Sequence, residues 1–191
     1  PTFSYSTDTY ELKQIGVKTY SMTKEEYLPR LEKMRAVANQ LTAGLEGKSD
    51  VDKALILHDK IALACEYATD YNSNEGEFYK AIFTAYGALV SGKAVCEGYS
   101  LAYNYLLSKV GIDSRICESD KLNHSWNIVT IDGDEYHVDI TRDDPSPDVK
   151  GRVGHRFFLA STERRKMLTL FTALLSTLSS RQIFFLTALS S

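Results

Sequence analysis

The sequence predicts an α+β domain. Two observations carry this: apolar residues recur at helical spacing through roughly residues 24–110, and the period then switches to two across residues 114–140. With 191 residues, 43% of them hydrophobic and 25% charged, the chain can bury one ordinary core. A net charge of −3 provides no basic excess for binding phosphates and argues against a nucleic-acid partner.

Residues 1–22 are rich in Thr, Ser and Tyr and read as strand or extended chain. A helix follows in "TKEEYLPRLEKMRAVANQL". Thr23 and Glu26 have the spacing of a capping box, and Tyr27, Leu31, Met34, Val37, Ala38 and Leu41 form its apolar stripe. Pro29 falls in the first turns, where proline is best tolerated. "GLEGKS" reads as a linker. A second helix begins near Ser49 or Asp50 and runs through "VDKALILHDKIALACEYA"; it is apolar on most sides and predicts a buried element. "DYNSNEGE" reads as a loop, and "FYKAIFTAYGALVSG" as a helix, or a helix and a turn, stopped by Gly92.

"GKAVCEGYS" places Cys96 at the front of the next helix. The stripe Tyr99, Tyr103, Leu106, Leu107 and Val110 marks that helix, and Gly111 ends it. Gly98, in the first turn, permits another segment to approach closely. "SRICES", "HSWNIVTI" and "EYHVDIT" then read as three strands, the last two joined by the hairpin signal "DGD".

That hairpin permits a register argument. If Asp132 and Gly133 form a two-residue loop, Ile131 pairs with Asp134, Ile128 lies opposite His137 and Trp126 lies opposite Asp139. His124, Trp126, His137 and Asp139 then share one face, with Asp139 the diagonal neighbour of His124. A three-residue loop without a bulge would separate them.

Of the histidines, His124 is the first candidate base and His137 the second. His58 lies inside an apolar helix and reads as a core histidine. His155, near Arg152 and Arg156, reads as surface. Cys65, Cys96 and Cys117 lack metal-site spacing, and their odd number argues against a disulfide framework. The aspartate-rich "DITRDDPSPD" lacks the EF-hand spacing and central glycine. No metal site and no cofactor are expected.

A cysteine at a helix start, a histidine on one strand and an aspartate on the next form a thiol-catalysis pattern. In order and local context, "GKAVCEGYS", "GIDSRIC", "NHSWNIVTIDGDEYHVDIT", "DDP" and "FFLAST" resemble the transglutaminase-like superfamily, which shares the papain-like cysteine-protease core. The resemblance spans roughly residues 50–162. It implies Cys96 as nucleophile, His124 as general base and acid, and Asp139 as orienting carboxylate. Two residues depart from the family pattern: Arg142 stands where relatives often carry Trp, and Ser125 where Ala is commoner.

The thiolate is the reactive form, and a free cysteine has a pKa of about 8.5. A helix N-terminus and a neighbouring imidazolium both lower it. The Cys96 backbone N–H is a natural oxyanion donor, with Tyr86 a guess for the second. Tyr86, Gly98, Trp126 and Arg142 are the candidate cleft residues. The function implied is acyl transfer on peptide or side-chain amides, ending in hydrolysis or in transamidation. The alternative is a non-catalytic module that keeps the fold. Relatives described as transglutaminase/protease-like are often attached to cell-surface or wall-binding modules, which points to a protein or peptide substrate and to the cell envelope.

Three regions are expected: 1–48, an extension with one helix; 49–162, the catalytic domain; and 163–191, an atypical apolar tail. Within "MLTLFTALLSTLSSRQIFFLTALSS", Arg181 and Gln182 interrupt the apolar run, so it makes a poor single membrane span. Met167, Leu170, Phe171, Leu174, Leu175 and Leu178 form a stripe suited to docking on the domain. The chain opens on Pro1 with no visible signal peptide, as expected of a processed or excised piece.

Overall fold

The computed structural model describes residues 2–5, 12–16, 24–69, 81–144, 149 and 151–168. The elements run in the order β1 (Thr2–Tyr5), β2 (Leu12–Gly16), α1 (Lys24–Thr42), α2 (Asp50–Ala64), β3 (Glu66–Tyr67), a π-helical turn (Gly87–Ser91), β4 (Lys93–Ala94), α3 (Cys96–Lys109), β5 (Ser114–Ser119), β6 (His124–Ile131), β7 (Asp134–Val138) and α4 (Ile140–Asp143). A further helix, α5, covers residues 162–168. β1 and β2 pair antiparallel, β3 and β4 pair parallel, and β5–β6–β7 form an antiparallel sheet.

α1 runs through Pro29 as anticipated; Thr23 lies outside the described residues. Its stripe is only partly covered. Ala38 is buried, but Tyr27 is 50% exposed. Lys60 of α2 donates from Nζ to the Leu41 carbonyl at 2.7 Å, supplying the C-terminal cation that α1 itself lacks.

α2 is capped by Ser49, whose hydroxyl accepts from the Asp52 N–H. It ends at Ala64, four residues before the expected end, because Glu66–Tyr67 leave to pair with Lys93–Ala94. Nor is it buried all round: Ala54, Leu57, His58, Ile61 and Ala62 face inward, whereas Leu63 is 53% exposed. Cys65 therefore lies just past the helix and not on it. The loop expected at "DYNSNEGE" lies outside the described residues. The following segment ends in the π-helical turn, with Gly92 in the left-handed region at φ 69°.

α3 carries the core. Tyr99, Tyr103, Leu106 and Leu107 of the expected stripe are all buried; a fully buried side chain of this kind contributes about 1.5–3 kcal/mol. The Tyr103 hydroxyl donates to the Ala54 carbonyl of α2 at 3.0 Å. The Tyr99 hydroxyl is shared between Asp144 Oδ2 at 2.6 Å and the Cys65 carbonyl at 2.9 Å. Gly111, at φ 80°, closes the helix.

Gly98 is the tightest point in this layer. A Cβ there would stand 2.6 Å from the Ile82 carbonyl oxygen and 2.8 Å from the Ala94 Cβ. The close approach expected at Gly98 is thus made by the chain's own segment 82–84. The residue is buried packing, not the open cleft lining the sequence suggested. That packing seats the strand Lys93–Ala94 and Val95, whose N–H donates to the Ile82 carbonyl at 3.0 Å, and so fixes where α3 begins.

Gly98→Ala should therefore destabilise the fold by about 1–3 kcal/mol, as overpacking a filled site does, although alanine is the better helix former. Urea denaturation measures this. An unchanged midpoint would contradict the packing described.

Candidate active site

The hairpin places the site. Asp132 and Gly133 turn with φ of 54° and 88°, the signature of a two-residue type I′ loop. The register follows: Ile131 pairs with Asp134, Ile128 with His137 and Asn127 with Val138. Asp139 comes one residue past β7 and is the N-cap position of α4. His124 Nε2 lies 2.9 and 3.1 Å from the two Asp139 carboxylate oxygens. The His124–Asp139 contact inferred from the turn is present, although the ladder stops at Asn127–Val138, before the expected Trp126–Asp139 pair.

Cys96 is the first residue of α3. It and His124 each favour the charged form of the other, and the Nε2 side of that ring is occupied by Asp139. Burial pushes the Cys96 thiol up, but the His124 hydrogen bond, the Ser125 side chain, the His124 charge and the Ser125 backbone outweigh it and hold it below its ordinary value. Burial pulls His124 down, yet its bonds to Asp139 and Cys96 and the charges of both raise it to about 9. The two shifts both favour a thiolate–imidazolium pair.

The other two cysteines behave oppositely. Burial pushes Cys65 to about 12 and Cys117 to about 11. Local environment, more than residue type, separates the three thiols.

Asp139 is 1% exposed and would be unfavourable there alone. Besides His124, it accepts from Thr141 Oγ1 at 2.7 Å and from Arg165 Nη1 at 2.6 Å. Arg142 Nε stands at an ion-pair distance of 3.3 Å. Burial pushes the carboxyl up, and the His124 hydrogen bond and charge, then Arg165, drive it far below the usual range. It is an anion.

Arg165 and Thr141 were not singled out by sequence reasoning. Arg165 lies beyond the expected domain end at residue 162, yet it is only 4% exposed. Its guanidinium sits 4.0 Å from the Trp126 ring centroid and 5.7 Å from that of Phe157, a cation–π sandwich. What brings it there is a β-bridge: the His137 and Ala160 N–H groups each donate to the other's carbonyl at 2.8 Å. The Asp139 N–H donates to the Phe157 carbonyl at 3.1 Å.

Trp126 is buried, stacks on His124 with centroids 6.0 Å apart, and donates from Nε1 to His137 Nδ1 at 2.8 Å. His137, the second candidate base, is thus engaged on one side by Trp126 and on the other by Thr162 Oγ1 at 3.2 Å; burial, then Arg165, lowers its pKa to about 4. Arg142, expected at the cleft rim, lies half-buried with its guanidinium 5.6 Å from the Phe157 centroid. Tyr86 caps the π-helical turn, its ring beneath the Arg30 guanidinium at 6.0 Å. Ser125 Oγ is buried, and no hydrogen bond is formed to it among the described residues.

His58 and His155 are the core and surface residues expected, the first fully buried and the second exposed. Among the described residues no helix is long and apolar enough to cross a membrane. Met167, the first residue of the stripe expected to dock, is 63% exposed; the rest of that stripe lies outside the described residues.

A family model described as the transglutaminase-like superfamily matches residues 35–140. Among solved structures, that of a TGase superposes with a TM-score of 0.50 at 18% identity, covering 65% of this chain and 35% of that one. A candidate cysteine protease from Cytophaga hutchinsonii is also 18% identical, with a TM-score of 0.41 and coverage of 70% of this chain and 47% of the other. The chain thus spans 35% and 47% of the lengths of these two structures, and at 18% identity the likeness to the TGase is one of fold. No curated protein matches the sequence.

Removing Arg165 strands part of a buried anion. Breaking a buried ion pair costs about 3–5 kcal/mol; because His124 and Thr141 remain, Arg165→Met should fall near the lower end. Chemical denaturation measures it, and a midpoint equal to that of the unmodified chain would contradict the role given to Arg165.

Proposed function

This chain belongs to the transglutaminase-like superfamily, and on that premise we propose that it catalyses thiol-dependent acyl transfer on peptide or side-chain amides. Cys96 is the nucleophile, His124 the base and acid, and Asp139 the orienting carboxylate. One observation carries the reading: buried Asp139 is hydrogen-bonded to His124, and His124 and Cys96 perturb each other so that the cysteine pKa is lowered and the histidine pKa raised. The family provides a general thiol-dependent catalytic fold; this line provides the means to use it.

The thiolate attacks the amide carbonyl carbon, and the carbonyl oxygen becomes an oxyanion. The backbone N–H of Cys96, at the start of α3, donates to it. His124 passes its proton to the departing amine, and the C–N bond breaks to leave a thioester on Cys96. Asp139 holds the ring by Nε2. Water activated by His124 then gives hydrolysis, as in a peptidase or deamidase; a lysine amine in its place gives an amide cross-link. The stacked face of Trp126 forms the wall behind His124, and Arg142 edges the same side. The substrate is a protein or peptide.

Ser125 supports the resting thiolate. Both its side chain and its backbone favour the charged sulfur.

Iodoacetamide tests the reading. Cys96 should be alkylated rapidly well below pH 8.5, whereas Cys65 and Cys117 remain slow. Equal, slow labelling of all three would remove the catalytic reading and leave the non-catalytic module. On any amide substrate that the chain turns over, Cys96→Ala should lower turnover by about 10⁴-fold or more.

The pH dependence follows from the two shifts. The thiolate forms as pH rises through a value below that of an ordinary cysteine, and the leaving-group proton is lost as pH rises through about 9. Activity should therefore describe a bell with its alkaline limb near pH 9, and its midpoints belong to the coupled pair. An alkaline limb near pH 6.5, the ordinary histidine value, would contradict the Asp139–His124 coupling.

A further inference from the structure

Apart from Cys96, three metal-ligating side chains from two parts of the chain converge. His58 and Asp59 lie on α2, and His155 lies in the segment after α4. Asp59 Oδ1 stands 2.8 Å from His58 Nδ1 and 2.7 Å from His155 Nε2. One ligand atom from each residue lies within 4.8 Å of the other two. The cluster is closed at one end and open at the other: the His58 side chain is fully buried, that of Asp59 is 30% exposed and that of His155 45%.

His58 is also held from behind. Its Nε2 lies 3.3 Å from Asp143 Oδ2, and the Asp143 side chain is itself buried. The Asp143 carboxylate accepts the Phe157 N–H at 3.0 and 3.1 Å. A carboxylate on the far nitrogen of a histidine fixes the ring and directs the near nitrogen outward, the usual support of a metal-binding imidazole.

We propose that His58, Asp59 and His155 bind a divalent transition-metal ion. The ligand atoms are His58 Nδ1, one Asp59 carboxylate oxygen and His155 Nε2, and the remaining position opens to water on the exposed side. Two imidazoles and one carboxylate, with no thiolate, are a donor set suited to Zn²⁺.

The geometry is close to what an ion requires. Ligands at about 2.0 Å from a tetrahedral ion lie about 3.3 Å apart. Admitting the ion therefore moves the Asp59 oxygen about half an ångström from each nitrogen and draws the two imidazole nitrogens, which lie within 4.8 Å of each other, to about 3.3 Å; the exposed His155 is the side chain able to make that movement. The ion displaces to solvent any protons on His58 Nδ1 and His155 Nε2, while the His58 Nε2–H stays on Asp143. Bound there, the metal clamps α2 to the segment whose Phe157 carbonyl accepts the Asp139 N–H. Its role is structural: it braces the turn from which Asp139 projects.

The test is a Co²⁺ and Zn²⁺ titration of the metal-free full chain carrying Cys96→Ala, which removes the Cys96–His124 pair as a competing site. One equivalent of Co²⁺ should give the visible absorption of a four- or five-coordinate site, Zn²⁺ should displace it, and the melting temperature should rise. Adding His155→Ala or Asp59→Asn should abolish the spectrum while circular dichroism stays native. His155 is exposed enough that this variant tests the ligand without testing the core. No cobalt spectrum in the Cys96→Ala protein, or a spectrum that survives both ligand substitutions, would overturn the proposal.

Discussion

Everything in this molecule that bears on chemistry is organised around one buried charge. The Asp139 carboxylate is 1% exposed and ionised. A carboxylate so deep is tolerated only when its lone pairs are filled. Here the partners come from three places: His124 from β6, Thr141 from α4, and Arg165 from α5. That requirement forces the end of the hairpin, the short helix α4 and the chain beyond residue 160 to meet at one point. The Phe157 carbonyl and the His137–Ala160 bridge hold the meeting in place.

The charge then sets the chemistry one bond further out. Held at Nε2 by Asp139, His124 has its pKa raised, and Cys96 contributes to that rise. Cys96 sits at the start of α3, where the backbone dipoles favour an anion, and His124 and Ser125 lower its pKa further against the cost of burial. Cys65 and Cys117 show the counterfactual. Each is buried without such a partner and is pushed toward the neutral thiol. Trp126 joins the two layers: it stacks on His124, lies beneath Arg165, and is itself oriented by His137.

Much of this was legible in the sequence, for local reasons. The "DGD" turn tolerates the left-handed φ that a two-residue hairpin loop needs, so it sets the register, and the register sets which side chains share a face. The stripe of α3 and its glycine stop are likewise local signals. What escaped is non-local. Arg165 carries no pattern linking it to Asp139, 26 residues earlier; the link exists only because a β-bridge turns the chain back. α2 stops early because a two-residue parallel pairing with Lys93–Ala94 outweighs its helical pattern. Gly98 was flagged for close approach, but the partner, Ile82–Thr84, could not be read from spacing. His58 and His155 each match their individual readings, and only the fold shows that Asp59 bridges them.

The measurement closest to the centre of this account is the ionisation of Cys96 itself, followed by the ultraviolet absorbance of its thiolate in the intact chain and in Asp139→Asn. The account predicts a thiolate that forms well below about pH 8.5, the value of a free cysteine. It also predicts a clear upward move when Asp139 loses its charge, because the imidazolium it sustains is weakened. A Cys96 that titrates at or above the free value, or one indifferent to Asp139→Asn, would contradict the claim that the buried carboxylate governs the thiol.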